Sequence, residues 1–206
     1  MHTMSLTEEI AASAARLVAE EGMEYGPAKR RAARNLGRAS MRPGELPSND
    51  AVEDAVREHL ALFCADTQPG ELALLRSIAA EWMARLVEFR PYLTGAVWRG
   101  TATRHSSIHL QLYCDDAKGT EIALINQGVA YDVGSTVGPQ GREVDALHIG
   151  HRCAAWGSIV SVVLTLLDHD DLRGALKPDA QGRSQRGDLA ALQRLMQQVA
   201  AAGAGS

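Results

Sequence analysis

Residues 91–114 read PYLTGAVWRGTATRHSSIHLQLYC, and the fold turns on how this stretch divides. The apolar pair Tyr92 and Leu93 opens an extended segment expected over 92–97. Gly95-Ala96 and Arg99-Gly100 then mark a tight loop, since glycine tolerates the backbone angles of a sharp reversal. From Ser107 to Leu112 polar and apolar side chains alternate, which is the period of a strand buried on one face. Strand, glycine-punctuated turn and strand is the expected local order.

Upstream the period is helical. Ser5 and Glu8 have the spacing of a capping box, and Ile10, Ala14, Leu17 and Val18 form one apolar face up to Gly22. Pro27 suits the first turn of a short helix that stops at Gly37, and Ser48 or Asn49 caps a third helix carrying Val52, Val56, Leu60 and Phe63. After Pro69-Gly70 a long fourth helix is expected to bury Leu72, Leu75, Ile78, Trp82 and Leu86 and to end at Pro91. Downstream, strands are expected near 107–114, 131–137, 143–151 and 158–167, with a helix over 115–127 whose leading acids, Asp115 and Asp116, suit its positive end. Gly138-Pro139-Gln140-Gly141 reads as a hairpin turn. Residues 170–185 read as loop, and 186–200 hold a final amphipathic helix.

The motif in residues 94–112 resembles the signature of the DNA polymerase β-like nucleotidyltransferases, especially the minimal ones. That signature is a Gly-Ser pair, an Arg-Gly, and a strand carrying Ser-Asp-x-Asp-Leu. Gly95, Arg99, Gly100, Ser106, Ile108 and Leu110 fall in register. Ala96 stands where the family has its Ser, and Ser107 and His109 stand where it has two metal-binding Asp. The order of elements over roughly 70–150 is similar too, while the first 68 residues lie outside the likeness.

The resemblance implies a specific chemistry. Carboxylates at i and i+2 of a strand share a face, and with a third acid on a neighbouring strand they hold two Mg²⁺ that orient a nucleoside triphosphate. Asp145, in Glu143-Val144-Asp145-Ala146-Leu147, is the expected third acid and the one metal ligand if the protein is active. Ser107, His109 and Asp145 are thus expected to face one cleft. Gly95, Ala96, Arg99 and Gly100 are the implied nucleotide-binding turn, whose backbone N–H groups would cradle phosphates. A hydroxyl and an imidazole are poor magnesium ligands, so the frame of the site is kept and its catalytic acids are replaced.

Composition bounds the alternatives. With 206 residues, 46% hydrophobic and 22% charged, the chain can bury a core. A net charge of −4 and aromatics at 4% argue against a protein that coats nucleic acid or stacks bases. One local exception is the segment Lys29, Arg30, Arg31, Arg34, Arg38 and Arg42, which could meet phosphates. It lies in a stretch, 1–90, with 11 basic and 14 acidic side chains, so a solvated face is favoured. Cys64, Cys114 and Cys153 are odd in number and dispersed, which predicts reduced thiols and a cytoplasmic protein. The amino terminus lacks the pattern of a signal peptide, and no apolar run reaches the ~20 residues of a membrane span. His105, His109, His148, His151 and Cys153 have no zinc-ligand spacing. Arg173, Arg183, Arg186 and Asp188 either tie the last helix to the sheet or line the cleft.

The expected fold is α+β: a helical amino-terminal region, 1–69, then a nucleotidyltransferase-like mixed sheet with flanking helices, 70–206. The expected function is that of a degenerate nucleotidyltransferase-like protein, without catalysis or cofactor, binding a nucleotide or an unidentified macromolecular partner. One alternative is an active Mg²⁺-dependent transferase drawing on Asp115, Asp116 and Asp145 and acting on a protein or small molecule. The other is a nucleic-acid-binding regulator using Lys29, Arg30, Arg31 and Arg34.

Overall fold

The chain's computed structural model describes residues 4–39, 41–177 and 182–203, and it is α+β. Contacts divide the chain into two units. The first comprises residues up to Leu72 with Thr101–Ser106, and the second comprises Ala73–Gly100 and the residues from Ser107 onward.

The first unit is built on α1 (Leu6–Glu21), α2 (Tyr25–Asn35) and α3 (Asn49–Phe63). Ser5 and Glu8 form the expected capping box, and the Ser48 hydroxyl accepts from the Ala51 N–H at 3.1 Å to cap α3. α1 packs on both α2 and α3. Its core is rich in small side chains: Ala14, Ala15, Ala28 and Ala32 are fully buried beside Ile10, Val52 and Val56. Alanine costs little side-chain entropy in a helix and lets backbones approach closely.

α1 ends at Gly22, whose φ of 66° is left-handed and whose N–H donates to the carbonyl groups of α1's last turn. The segment Thr101–Ser106 lies against that turn. The Thr103 hydroxyl donates to the Ala19 carbonyl at 2.8 Å, and the His105 carbonyl crosses directly over Gly22. A threonine hydroxyl here satisfies a carbonyl that the helix leaves orphaned.

α4 (Gln68–Arg85) starts one residue before the expected Pro69-Gly70 breaker and holds both residues in its first turn, where proline is tolerated. In the second unit it is followed by β1 (Pro91–Thr94), α5 (Gly95–Arg99), β2 (Ile108–Tyr113), α6 (Ala117–Asn126), β3 (Asp132–Val137), β4 (Glu143–Cys153), β5 (Ser158–Leu167), α7 (Leu172–Ala175), β6 (Arg186–Gly187) and α8 (Leu189–Gly203). The expected strand over 92–97 stops at Thr94. Gly95 takes φ 72° and the chain turns into a short helix that Gly100, at φ 85°, ends. The expected loop over 170–185 holds α7, and residues 178–181 lie outside the described residues. Asp188, one of the four polar residues with an open role, accepts from the Ala191 N–H at 2.8 Å and caps α8.

The sheet order is β3-β4-β5-β2-β1-β6. β2 and β5 are parallel, and the other pairs are antiparallel. Register puts Leu93, Leu110, Leu164, Leu147 and Val133 in one row, all on one face because directly paired residues share a side. That face is dry over the four central strands, with Leu93, Leu110 and Leu164 fully buried. α4 contributes Trp82 to it, whose indole N–H donates to His151 Nδ1 at 3.2 Å. The opposite face carries a polar row, Arg186, Thr94, His109, Val163, His148 and Asp132.

Candidate functional site

The polar row is where the motif residues come together. Thr94 pairs with His109, so the turn that follows Thr94 lies beside the start of β2. A Cβ built on Gly95 would fall 3.6 Å from His109 Cδ2, which is ordinary contact. Ser107 precedes β2 by one residue, and alternation sets it on the same face as His109. Gly95, Ser107 and His109 therefore share one half-buried region of the sheet.

Asp145 does not join them. It pairs with Ser135, and it has the parity of Leu147 and Ile149 rather than of His148. It therefore projects from the other face, two strands away and three residues along from the His109 level. The expectation that Ser107, His109 and Asp145 face one cleft is corrected on that geometry. β2's true parallel neighbour is β5, which offers Ser161, Val163 and Thr165 on the polar face. None is an acid.

A side chain whose role the sequence left open completes the region. Arg186 of β6 pairs with Thr94 and reaches across β1 to β2, where Nη1 donates to the Gln111 side-chain oxygen and, at 2.8 Å, to the Tyr113 hydroxyl. The Tyr113 hydroxyl in turn donates to Gln111 at 3.0 Å, and its ring meets Tyr92 edge-on with centroids 5.5 Å apart. Burial raises the Tyr113 pKa while the Arg186 charge and hydrogen bond oppose the shift. Ser184 to Arg186 is held along β1 and α5 by two further bonds, Thr94 Oγ1 to the Gln185 carbonyl at 3.1 Å and Trp98 Nε1 to the Ser184 carbonyl at 2.8 Å. The region thus has a cation, Arg186, beside a glycine turn. Arg99 and Gly100 hold the far end of α5, where Gly100 donates to the Ala96 carbonyl at 2.9 Å.

A separate cleft of about 310 Å³ opens where β2 and β5 end side by side, and Asp115, Asp145 and Asp168 line it. Asp116, however, is spent as the cap of α6, accepting from the Lys118 N–H at 2.9 Å. Arg142 also lines the cleft, 2.6 Å from Asp171 and 3.6 Å from Asp168. Among the described residues no group of three or more His, Cys, Asp and Glu is placed to hold a metal ion. Cys114 lies in this cleft too. Burial raises its thiol pKa against a weak hydrogen bond with Thr120, and Asp116, Asp115 and Asp168 raise it further. Iodoacetamide is therefore expected to alkylate Cys114 slowly at pH 7.5, with a rate that keeps climbing above the ordinary thiol range near ~8.5. Asp116→Asn should speed the reaction, read by mass spectrometry, and a rate equal to free cysteine would refute this account.

The basic segment of the first unit divides by function. Lys29 Nζ donates to the Pro47 carbonyl at 3.0 Å and to Asn49 Oδ1 at 2.8 Å, fastening the start of α3. Arg31 is ion-paired with Glu21 and contacts Met23 sulfur. Arg30 and Arg34 point elsewhere, into a groove described below.

No family model matches this chain, no curated protein matches it and no solved structure matches it. Among the described residues no helix is long and apolar enough to cross a membrane.

Proposed function

We propose that the sheet unit is a nucleotidyltransferase-like module that binds a nucleotide or a macromolecular partner without transferring a nucleotide. The observation that supports this most is that the Gly95 turn and His109 are neighbours on one face of the sheet. A left-handed glycine just after β1 lies beside an imidazole where the resembled family has a carboxylate. Ser107 supplies a hydroxyl at the other acid position, and Val163 adjoins His109 from the parallel strand. This donor set does not fit Mg²⁺, which takes oxygen ligands and is held chiefly by carboxylates. Phosphoryl-type transfer without it forgoes the electrostatic stabilisation that is usually the largest catalytic contribution. What remains is a surface for binding: backbone N–H groups at the Gly95 turn, the Arg186 guanidinium, and the Gln111 and Tyr113 polar groups beside it.

The second reading, an active Mg²⁺-dependent transferase, draws on the presence of Asp115 and Asp145 in one cleft. Arg142 weighs against it, since it places a cation among the carboxylates that a metal would need.

The test is a transfer assay with each α-labelled nucleoside triphosphate, with and without Mg²⁺ or Mn²⁺, beside calorimetric titration of the nucleotide. Binding that persists in chelator, with no label on protein or acceptor, is the expected result. Divalent-dependent transfer, lost in Asp145→Asn, would sink the binding-only reading and promote the second. A rescue sharpens the comparison. Ser107→Asp with His109→Asp and Ser161→Asp puts three carboxylates on the polar face and should raise Mn²⁺ affinity roughly tenfold or more. Adding Asp145→Asn to that triple variant should leave the gain intact, because Asp145 is on the opposite face.

A further inference from the structure

We propose that the first unit carries a docking groove for an acidic amphipathic helix of a protein partner, with Arg30, Arg34 and Arg38 as its rim. The inference is independent of the reading of the sheet unit. The groove encloses about 320 Å³, and its floor includes Met23, Met41 and Leu46. Among the described residues no carboxylate lines it.

Local structure explains why three cations gather there. Ala28, Ala32 and Ala33 turn the apolar stripe of α2 inward, which leaves Arg30 and Arg34, four residues apart, on the exposed side. They are one turn apart, about 6 Å along the axis. After α2 the chain reverses at Gly37, and the Arg38 N–H donates to the Ala33 carbonyl at 2.8 Å, which brings the third arginine back to the same rim. The Lys29 and Arg31 side chains are held by contacts within the unit, whereas the guanidinium groups of Arg30, Arg34 and Arg38 make no hydrogen bond or ion pair among the described residues. Three like charges this close repel one another.

The floor decides between kinds of anion. A nucleic acid presents phosphates that gain nothing from methionine and leucine, and among the described residues no aromatic side chain lines the groove to stack a base. An amphipathic helix meets both halves of the surface. Apolar side chains at i, i+3 or i+4, and i+7 cover the floor, and carboxylates on the flank reach the guanidinium groups in the planar geometry arginine favours. Methionine adapts its shape to such an insert. The occupant is therefore an acidic helical segment with leucine-type anchors.

The experiment uses the full chain and a fluorescein-labelled peptide of roughly 16 residues, with leucines on one helical face and glutamates flanking them. Its partner probe is an isomer of identical composition with the leucines spread around the helix. Anisotropy should report a dissociation constant on the order of 10 µM for the first and at least tenfold weaker binding for the isomer. Arg30→Glu with Arg34→Glu and Arg38→Glu should weaken binding at least tenfold, and Met41→Asp should do the same through the floor. The three arginines are exposed, so the triple variant tests the rim without disturbing the core. Equal binding of both peptides, no binding at about 1 mM, an unaltered triple variant, or displacement of the peptide by a lower concentration of a single-stranded oligonucleotide would each overturn the proposal.

Discussion

Gly22→Ala is expected to destabilise the first unit by about 3 kcal/mol or more, from two separate causes. A side chain at φ 66° pays the left-handed penalty of about 1–2 kcal/mol. The new Cβ would also sit 2.0 Å from the His105 carbonyl oxygen and 2.8 Å from its carbon. Those are backbone atoms and cannot rotate aside, so the whole Thr101–Ser106 segment must move. The hydrogen bond from Thr103 to the Ala19 carbonyl is strained with it. Gly37→Ala is the control, since Gly37 also has positive φ, at 73°, but a Cβ there meets nothing within 4 Å. Gly37→Ala should cost only the conformational share, about 1–2 kcal/mol. Denaturant melts of the two variants isolate the clash as their difference. Equal losses would show that His105 does not press on Gly22.

The second large effect is expected at Arg76. It is 5% exposed, and it spends its guanidinium on backbone alone: Nε donates to the Val97 carbonyl at 3.1 Å and Nη2 to the Trp98 carbonyl at 3.2 Å. Burial lowers its pKa, yet arginine has ample reserve to stay charged at neutral pH. A cation at these carbonyl groups completes the carboxyl end of α5 and complements its dipole. Arg76→Met keeps the stem and removes both bonds, leaving two carbonyl groups under-satisfied in a buried site. A loss of about 2–4 kcal/mol is expected, since hydrogen bonds to a charged group contribute about 1.5–3 kcal/mol each and part is recovered by apolar packing. For a chain of this size the melting temperature should fall by about 5–15 °C. Hydrogen exchange should quicken at Gly100, whose N–H closes α5. A loss under about 0.5 kcal/mol would mean that α5 is held by other contacts.

The elements that were legible in the sequence are those whose signal is local. The capping box of Ser5 and Glu8, the glycine stop at 37, the Ser48 cap and the alternation of Ile108 to Tyr113 each lie within a few residues of the geometry they produce. The elements that were not legible depend on partners far along the chain. Asp145 looked like a third acid because it sits on a strand near the motif. Its face is set by how β4 pairs with β5, and β5's place beside β2 by a parallel pairing across some fifty residues. A shift of one residue inverts a face, and nothing in Glu143 to Leu147 records that count. β6 has two residues and no alternation, so the reach of Arg186 to Gln111 and Tyr113 had no visible signature. In the basic segment helical spacing separates Arg30 and Arg34 from their neighbours, but only the Pro47 carbonyl and Glu21 explain why Lys29 and Arg31 are already committed.

That Thr101–Ser106 belongs with the amino-terminal helices has a consequence for synthesis. A ribosome delivers α1, α2 and α3 first, yet their unit is complete only when Ser106 has emerged. At usual elongation rates of about 5–20 residues per second, the interval after Leu72 lasts about 2–7 s. Throughout it the Ala19 carbonyl lacks the Thr103 hydroxyl and the turn at Gly22 is uncovered. The nascent chain meanwhile exports the rest of α4, β1 and α5, which belong to the other unit, before the piece that completes its first unit. The core of α1, α2 and α3 is complete in sequence by Cys64, so what folding in order of emergence leaves open until Ser106 appears is the end of α1 at Gly22.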